Sequence, residues 1–250
     1  MTNTQNNVQP VNLIYRRFSP PHIVEERIVD VNPERLATFL ECDYKLWTLP
    51  ESGNPPFAGK EVWVSIRNPG EIRIVMYWEH EEGWKAVSQD FLEQQSREMD
   101  RHMGEGNVRI RQCLHDPDPK TKLCEAMPVL PSDAWTFRQF HPPHAVEELL
   151  IQVVPEKLET FLAADHAIWT QTLAAQPGFL GKEVLQSVNN PGLLTCLVYW
   201  ETTEQWQSIP EQVLIAADEE LVRILGPDVS QVVGSHHESD PKGRLSAFRR

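Results

Sequence analysis

Ile74-Val75-Met76-Tyr77-Trp78 is an apolar run that leaves neither face of a β-strand polar. The run Leu193–Trp200 behaves in the same way, and Thr195 is its single interruption. A strand that is apolar on both faces is covered on both faces. Both runs are therefore predicted to be central strands that are buried from two sides.

The two runs belong to a tandem repeat with a fixed offset of 122 residues. From Arg16/Arg138 to Gly104/Gly226 the copies align without a gap, and 37 of these 89 positions are identical. One period is far longer than the unit of a solenoid protein and has the size of a small domain. The chain therefore carries two copies of one fold, which we expect to emulate a homodimer.

The composition is that of an ordinary globular protein, with 250 residues of which 40% are hydrophobic and 24% charged. The net charge of −13 opposes binding to nucleic acid or to an anionic membrane surface. No apolar run approaches about 20 residues, and residues 1–10 do not resemble a signal peptide, so neither a membrane span nor secretion is expected. The four cysteines do not recur between the copies, which disfavours a disulfide framework or a zinc site and favours a reduced, cytoplasmic setting.

Each copy is predicted to follow the order β-α-β-β-α-β, which is the ferredoxin-like unit. In the first copy the predicted strands are residues 24–31, 60–66, 72–79 and 108–114, and the main helices are residues 33–48 and 91–103. We predict a disordered N-terminus over 1–14, a first repeat over 15–114, a linker over 115–136, a second repeat over 137–235 and a C-terminal tail over 236–250. A Pro- and Gly-rich loop is expected over 50–56.

The doubly apolar strands decide how the copies are arranged. In an isolated ferredoxin-like unit the helices cover one side of the sheet, and the other side stays in contact with water. Here the second side must also be buried, and the sheet of the sister copy is the simplest cover. The predicted fold class is therefore α+β, with two tandem ferredoxin-like (βαββαβ) repeats that form a fused dimeric α+β barrel with its helices outside.

The segment 176–184 and the following Val198-Tyr199-Trp200-Glu201 and Trp206 resemble the antibiotic-biosynthesis-monooxygenase (ABM) group of the dimeric α+β barrel superfamily. Val146-Glu147-Glu148 and the helix 165–170 resemble a subfamily of that group known mainly from phototrophic bacteria. The resemblance covers residues 16–114 and 138–235 and is specific for the fold. It implies monooxygenase-like chemistry less specifically, because the superfamily also contains heme-handling enzymes, isomerases and proteins without known activity.

Asp43 and Asp165 are the candidate catalytic residues. On a helical wheel Asp43 lies between Leu40 and Trp47, in the middle of the apolar stripe of its helix, and Asp165 repeats this position. A buried carboxylate must be hydrogen-bonded, paired or protonated, and a shifted pKa would allow it to act as a base. The alternative is structural: each Asp accepts a hydrogen bond from a backbone or tryptophan N–H and fixes the helix.

Cofactor-independent oxygenases of this fold activate an electron-rich aromatic substrate in an apolar pocket with a few polar anchors. The same side chains would equally make a well-packed core. The candidate substrate-binding residues are Trp47, Trp169, Tyr44, His166, Tyr77 and Tyr199.

No metal or cofactor is predicted. His141 and His144 could offer two metal nitrogens, but no third ligand accompanies them. Heme-degrading relatives carry an asparagine on the first strand and a histidine after the third. Here the first strand carries glutamates, and Thr202 stands where the first copy has His80.

Two functions remain open. The first is a cofactor-independent oxygenase that acts on an aromatic or lipophilic small molecule. The second is a non-catalytic module that binds a small apolar ligand or a protein partner. Fusion frees one pocket to decay, so an enzyme is expected to show one open and one filled cavity. Association beyond the fused pair is left open by the sequence.

Overall fold

The computed structural model describes residues 12–128, 135–227, 229–235 and 240–249. Within these residues it contains ten strands, eight of which form a closed antiparallel barrel. The barrel order is Lys242–Arg249, Phe57–Ser65, Glu71–Trp78, Leu13–Val31, Lys120–Pro128, Phe179–Ser187, Leu193–Trp200 and Thr136–Val153, and the last strand pairs back to the first. The remaining two strands, Val108–Cys113 and Ser230–Ser235, pair with Leu13–Val31 and Thr136–Val153. The predicted fold class, a fused α+β barrel built from two ferredoxin-like halves, is confirmed.

The two copies have matching elements. The first copy consists of β1 (Leu13–Val31), α1 (Leu36–Asp43), α2 (Leu49–Ser52), β2 (Phe57–Ser65), β3 (Glu71–Trp78), α3 (Glu81–Lys85), α4 (Gln89–Met103), β4 (Val108–Cys113) and β5 (Lys120–Pro128). The second copy consists of β6 (Thr136–Val153), α5 (Leu158–Asp165), α6 (Gln171–Ala174), β7 (Phe179–Ser187), β8 (Leu193–Trp200), α7 (Thr203–Gln207), α8 (Glu211–Leu225), β9 (Ser230–Ser235) and β10 (Lys242–Arg249).

Strands β5 and β10 differ from the predicted linker and tail. Strand β5 pairs with β1 of its own copy and with β7 of the other, and β10 pairs in the same way with β6 and β2. Both strands are interrupted by a register shift and carry charged residues toward the inside of the barrel, so neither shows the apolar alternation that identifies a strand. The predicted segments 1–11, 129–134 and 236–239 lie outside the described residues.

The third strand of each copy is covered on both faces, as predicted. Val75 and Tyr77 pack inside the barrel against Leu197 and Tyr199 of the sister strand. The alternate residues of β3, such as Met76, pack outside against the helices. The interior therefore joins the two copies, whereas each outer layer is built mainly around the helices of one copy.

Charged side chains share the barrel interior with this apolar cluster. Glu61 and Glu183 have no exposed surface. Arg244 lies 2.9 Å from Glu61, and Lys122 lies 3.3 Å from Glu183. Arg249 forms ion pairs with both glutamates. Burial by itself would raise the pKa of Glu183, but Arg249 and Lys122 outweigh it and hold that pKa at about 2.

The described part of the chain has no helix that is both long and apolar enough to cross a membrane. Its longest helices, α4 and α8, have 15 residues each. The cysteines Cys42, Cys113, Cys124 and Cys196 are all free thiols.

Replacing Phe248 with Ala tests whether β10 closes the barrel. Phe248 is 4% exposed and stacks on Trp135 with ring centroids 4.7 Å apart. Its removal leaves a cavity in the core, so Phe248→Ala is expected to lower the free energy of unfolding by about 3–5 kcal/mol in chemical denaturation. The control Val233→Ala, at a side chain that is 52% exposed, should change it by less than about 0.5 kcal/mol. Equal small effects would show that β10 is not part of the folded barrel.

Candidate functional site

A cavity of about 270 Å³ lies between the sheet and the helices of the first copy. Its floor is formed by β1, β2 and β3, and its walls come from the first helical segment, α4 and β4. Phe39, Ile74, Met76 and Met99 supply apolar surface. Ile110, 51% exposed, stands where the cavity reaches the surface. An apolar enclosure with a few polar groups is the usual form of a small-molecule site.

Asp43 lines this cavity and is paired with a lysine that the sequence did not single out. The Asp43 carboxylate lies 2.6 Å from the ammonium of Lys60 on β2, and both residues are at most 4% exposed. The second copy repeats the pair, with Asp165 and Lys182 2.5 Å apart. The partner that the structure gives each Asp is therefore a lysine, and each pair joins a helix to the sheet.

Glu51 is the most unusual polar group of the cavity. Its residue is 6% exposed, and its Oε2 has no hydrogen-bond partner among the described residues. Burial raises the pKa of Glu51 to about 7, because it outweighs the nearby positive charge of Lys60. A carboxyl group with such a pKa exchanges its proton near neutral pH, as a general acid or base requires.

A change of helix geometry brings Glu51 to this position. The segment Tyr44–Thr48, between α1 and α2, is a π-helical turn, with a hydrogen bond from Leu49 N–H to the Tyr44 carbonyl. In an uninterrupted α-helix, Glu51 would be rotated about 80° from Asp43, which lies eight residues earlier. The wider turn takes up more residues per revolution and rotates Glu51 back toward the face of Asp43, so both line one cavity.

The group of charged side chains around Glu51 contains one more carboxyl group than cations. Arg27 forms an ion pair with Glu25, which also accepts a hydrogen bond of 3.2 Å from Trp78 Nε1. With the Asp43–Lys60 pair, the group contains three carboxyl groups and two cations. Glu51 is the carboxyl group without a hydrogen-bonded cation, which agrees with its raised pKa.

The second copy keeps the Asp–Lys pair and Glu147, the counterpart of Glu25, but not the charges of Glu51 and Arg27. Leu173 stands at the position of Glu51, and Leu149 at that of Arg27. Leu173 is buried in the apolar cluster beneath the helices. The catalytic potential of the two copies is therefore unequal, because a titratable carboxyl group close to neutrality is present in one of the two equivalent places.

Trp47 lines the cavity beside Asp43, whereas the other predicted aromatic residues lie elsewhere. Tyr44 stacks on Phe137 of the second copy at 4.1 Å, and His166 stacks on Tyr15 of the first copy at 3.8 Å. These two side chains therefore join the helix of one copy to the first strand of the other, rather than lining the cavity.

Tyr77, Tyr199 and Trp169 also lie away from this cavity. Tyr77 and Tyr199 are on the inner face of the barrel, where Tyr77 donates a hydrogen bond of 3.0 Å to Glu183. Trp169 packs in the outer layer of the second copy. The alternation of side chains along a strand shows which residues share a face with Tyr77 or Tyr199. It does not show that this face lies inside the barrel, because that depends on how the barrel closes.

Glu51 and Lys60 were both missed by the sequence reasoning. Lys60 belongs to a Gly-Lys-Glu-Val segment that recurs at 181–184, and it alternates with Val62 on the apolar outer face of β2. A lysine repeated on an apolar face was the available signal for a buried partner. Glu51 does not recur in the second copy and falls in a Pro-rich segment that favours a loop, so no comparable signal marked it.

One group of side chains outside the cavity could hold a metal ion. In the described part of the chain, ligand atoms of Cys113, His115 and Asp116 lie within 4.8 Å of one another. Cys113 is the last residue of β4, His115 and Asp116 lie in the turn that follows it, and Asp116 is exposed. His141 and His144, the pair considered from the sequence, both lie on β6.

Comparison with known families gives a match within the second copy. The sequence profile described as antibiotic biosynthesis monooxygenase matches residues 146–208. This part of the chain is therefore similar to an ABM domain. This match covers β7, β8 and the helix with Asp165, and the first copy shares the same elements through the repeat.

Solved structures with a similar fold match nearly the whole length of this chain. A proposed monooxygenase from Lactobacillus acidophilus has a TM-score of 0.54 and 8% identity, over 90% of this chain and 94% of that one. A proposed monooxygenase from Fusobacterium nucleatum has 0.53 and 10%, over 92% and 94%. An anthrone oxidase-like protein has 0.51 and 10%, over 94% and 95%. At such identities the likeness shows the fold alone, and no curated protein matches the sequence.

The buried ion pair of the second copy gives a stability prediction. Asp165→Asn leaves the ammonium of Lys182 buried without its counter-ion, so the free energy of unfolding should fall by about 3–5 kcal/mol. Glu41→Gln removes the exposed i,i+4 pair with Lys45 and should cost less than about 1 kcal/mol. The double variant Asp165→Leu/Lys182→Met should recover much of the loss. A loss of under 1 kcal/mol in Asp165→Asn would contradict the pairing.

The raised pKa of Glu51 predicts how stability depends on pH. Between the ordinary value of 4.5 and about 7 the folded state keeps a proton that the unfolded state has released, so this group destabilises the fold increasingly as pH rises. The shift corresponds to about 3 kcal/mol at full deprotonation. Glu51→Gln should therefore gain stability over the parent from pH 5 to pH 7, and the gain should level off above pH 7. A difference that is constant across urea denaturation at pH 5–8 would disprove the shift.

Proposed function

We propose that the cavity of the first copy is the active site of a cofactor-independent oxygenase that acts on a small, electron-rich aromatic molecule. The observation that supports it is Glu51, a buried carboxyl group with a pKa of about 7 and an unpartnered oxygen beside apolar walls. The cavity volume of about 270 Å³ lies near the lower end of ligand pockets, which favours a compact substrate.

In this proposal the Glu51 carboxylate removes a proton from an acidic C–H of the substrate. The Lys60 ammonium and the Arg27 guanidinium stabilise the negative charge that develops, because the surrounding medium is of low polarity. The substrate anion then supplies the electrons to dioxygen. A CH₂ group becomes a carbonyl, one oxygen atom enters the product, and the other leaves as water with the two hydrogens, so no external reductant is required.

Asp43 takes a positioning role in this scheme rather than the role of the base. Its carboxylate is committed to Lys60 at 2.6 Å, which fixes the ammonium toward the cavity. Trp47 supplies an aromatic wall beside it. Asp165 pairs with Lys182 in the same way, but Leu173 stands in the second copy where the first has Glu51. We therefore assign Asp165 a structural role.

Oxygen consumption with anthrone and related aromatic ketones tests the proposal. Anthrone has an acidic CH₂ group, and one protein of this fold is described as anthrone oxidase-like. We expect kcat/KM to rise with pH through about 7, because the carboxylate form of Glu51 is required. Glu51→Gln should lower kcat/KM by at least about 100-fold.

Glu41→Gln, at an exposed carboxyl group of the same helical segment, is the control and should leave kcat/KM within about twofold. Quenching of tryptophan fluorescence by the same compounds that is lost in Trp47→Phe, without oxygen consumption, would favour the alternative of a non-catalytic ligand-binding module. Native mass spectrometry and a visible spectrum of the purified protein would reveal a bound chromophore, which would contradict a cofactor-independent reaction.

A further inference from the structure

A second and larger cavity, of about 590 Å³, opens at one end of the barrel. It is lined by residues from both copies, and many of them are related by the repeat offset of 122. The pairs that define the pocket are Arg16/Arg138, Phe18/Phe140 and His22/His144. A pocket lined by equivalent residues of both copies lies on the pseudo-twofold axis that relates them. This axial pocket is separate from the cavity that contains Glu51.

The axial pocket has an aromatic and cationic lining in a chain whose net charge is −13. Phe18 and Phe140 pack against His22 and His144, with ring centroids 4.2 and 3.9 Å apart. Burial lowers the pKa of both histidines to about 4, so the rings are neutral at pH 7. The lining contains five cationic side chains and two carboxyl groups: Lys122, Arg16, Arg138, Arg244 and Arg249, with Glu79 and Glu125.

The two halves of the pocket differ at one cross-strand pair. In the first half, Arg16 on β1 lies directly opposite Glu125 on β5, and their side chains are 2.6 Å apart. In the second half, Arg138 on β6 lies opposite Ala247 on β10. The arginine is retained but its carboxylate is missing, and Arg138 has no ion pair among the described residues.

Two buried nitrogen atoms of the second half also lack partners. His144 Nδ1 and Arg244 Nε form no hydrogen bond within the described part of the chain. Arg244 already donates a hydrogen bond of 2.9 Å to Glu61 through its Nη2. Among the described residues, the other arginines of the pocket form ion pairs with glutamates, whereas Arg138, which is exposed, forms none. The position opposite Arg138 is therefore where a carboxylate is missing.

We propose that the axial pocket binds one small aromatic anion per chain, with its acidic group opposite Arg138 at the position that Glu125 occupies in the other half. Phe140 and His144 then contact the aromatic body of the ligand. A carboxylate or sulfonate would restore the charge pairing that the repeat keeps in the first half. This binding site is independent of the oxygenase site proposed for the cavity that contains Glu51, which is called the lateral cavity below.

Fluorescence titration with 8-anilinonaphthalene-1-sulfonate tests the proposal, with N-phenyl-1-naphthylamine as the neutral probe of the same ring system. We expect one sulfonate probe per chain, bound at least 10-fold more tightly than the neutral amine. Near-UV circular dichroism should confirm that the protein stays folded. Equal affinity for the two probes, or two probes per chain, would overturn the proposal.

Ala247→Glu and Ala247→Gln form a pair of variants of equal size that differ in charge. Ala247→Glu supplies the missing carboxylate from the protein itself and should weaken sulfonate binding at least 10-fold relative to Ala247→Gln. Arg223→Glu, on the exposed surface of α8, and Glu51→Gln in the lateral cavity should each leave affinity within twofold. Equal affinity of the two Ala247 variants would disprove the assigned position of the acidic group, and loss of binding in Glu51→Gln would move the site to the lateral cavity.

Discussion

Glu61 and Glu183 are fully buried inside the barrel, and the assembly of the two copies depends on the cations that neutralise them. A buried carboxylate that loses its partner costs several kcal/mol. Lys122 reaches Glu183 from β5 and Arg244 reaches Glu61 from β10, so each strand supplies a cation to the second strand of the other copy. The ion pairs and the strand pairing therefore both favour the same closed barrel of the two copies.

The outer layers also contain buried carboxylates that are neutralised by cations. The pairs Asp43–Lys60 and Asp165–Lys182 each fix a helix to the sheet of the same copy. Because both copies keep the pair, its first consequence is structural. The first copy alone adds Glu51, a third carboxyl group beside two cations, and burial raises the pKa of Glu51 to about 7. A fused pseudo-dimer permits this specialisation, since one copy can change while the other preserves the fold.

In the lateral cavity and in the axial pocket, the charged residues at equivalent positions of the two copies differ in two ways. In the lateral cavity an ionisable group has been added without a counterpart, and the charge that it carries depends on pH. In the axial pocket a carboxylate is absent opposite Arg138, although the arginine remains. The first change favours proton transfer, and the second favours recognition of an anion. Both differences are visible because the two copies belong to one chain and can be compared position by position.

The sequence by itself determined the repeat, the order of strands and helices, and the barrel, because hydrophobic periodicity and internal identity are local properties of the chain. It also identified Asp43 as a polar residue on an apolar helix face. The tertiary structure decided that Lys60 is its partner, since these residues meet only when the helix packs on the sheet. It likewise decided the direction of Glu51, through a π-helical turn that an α-helical wheel does not represent. The strands β5 and β10 became recognisable only in the closed barrel, because their charged residues are buried by partners from the other copy.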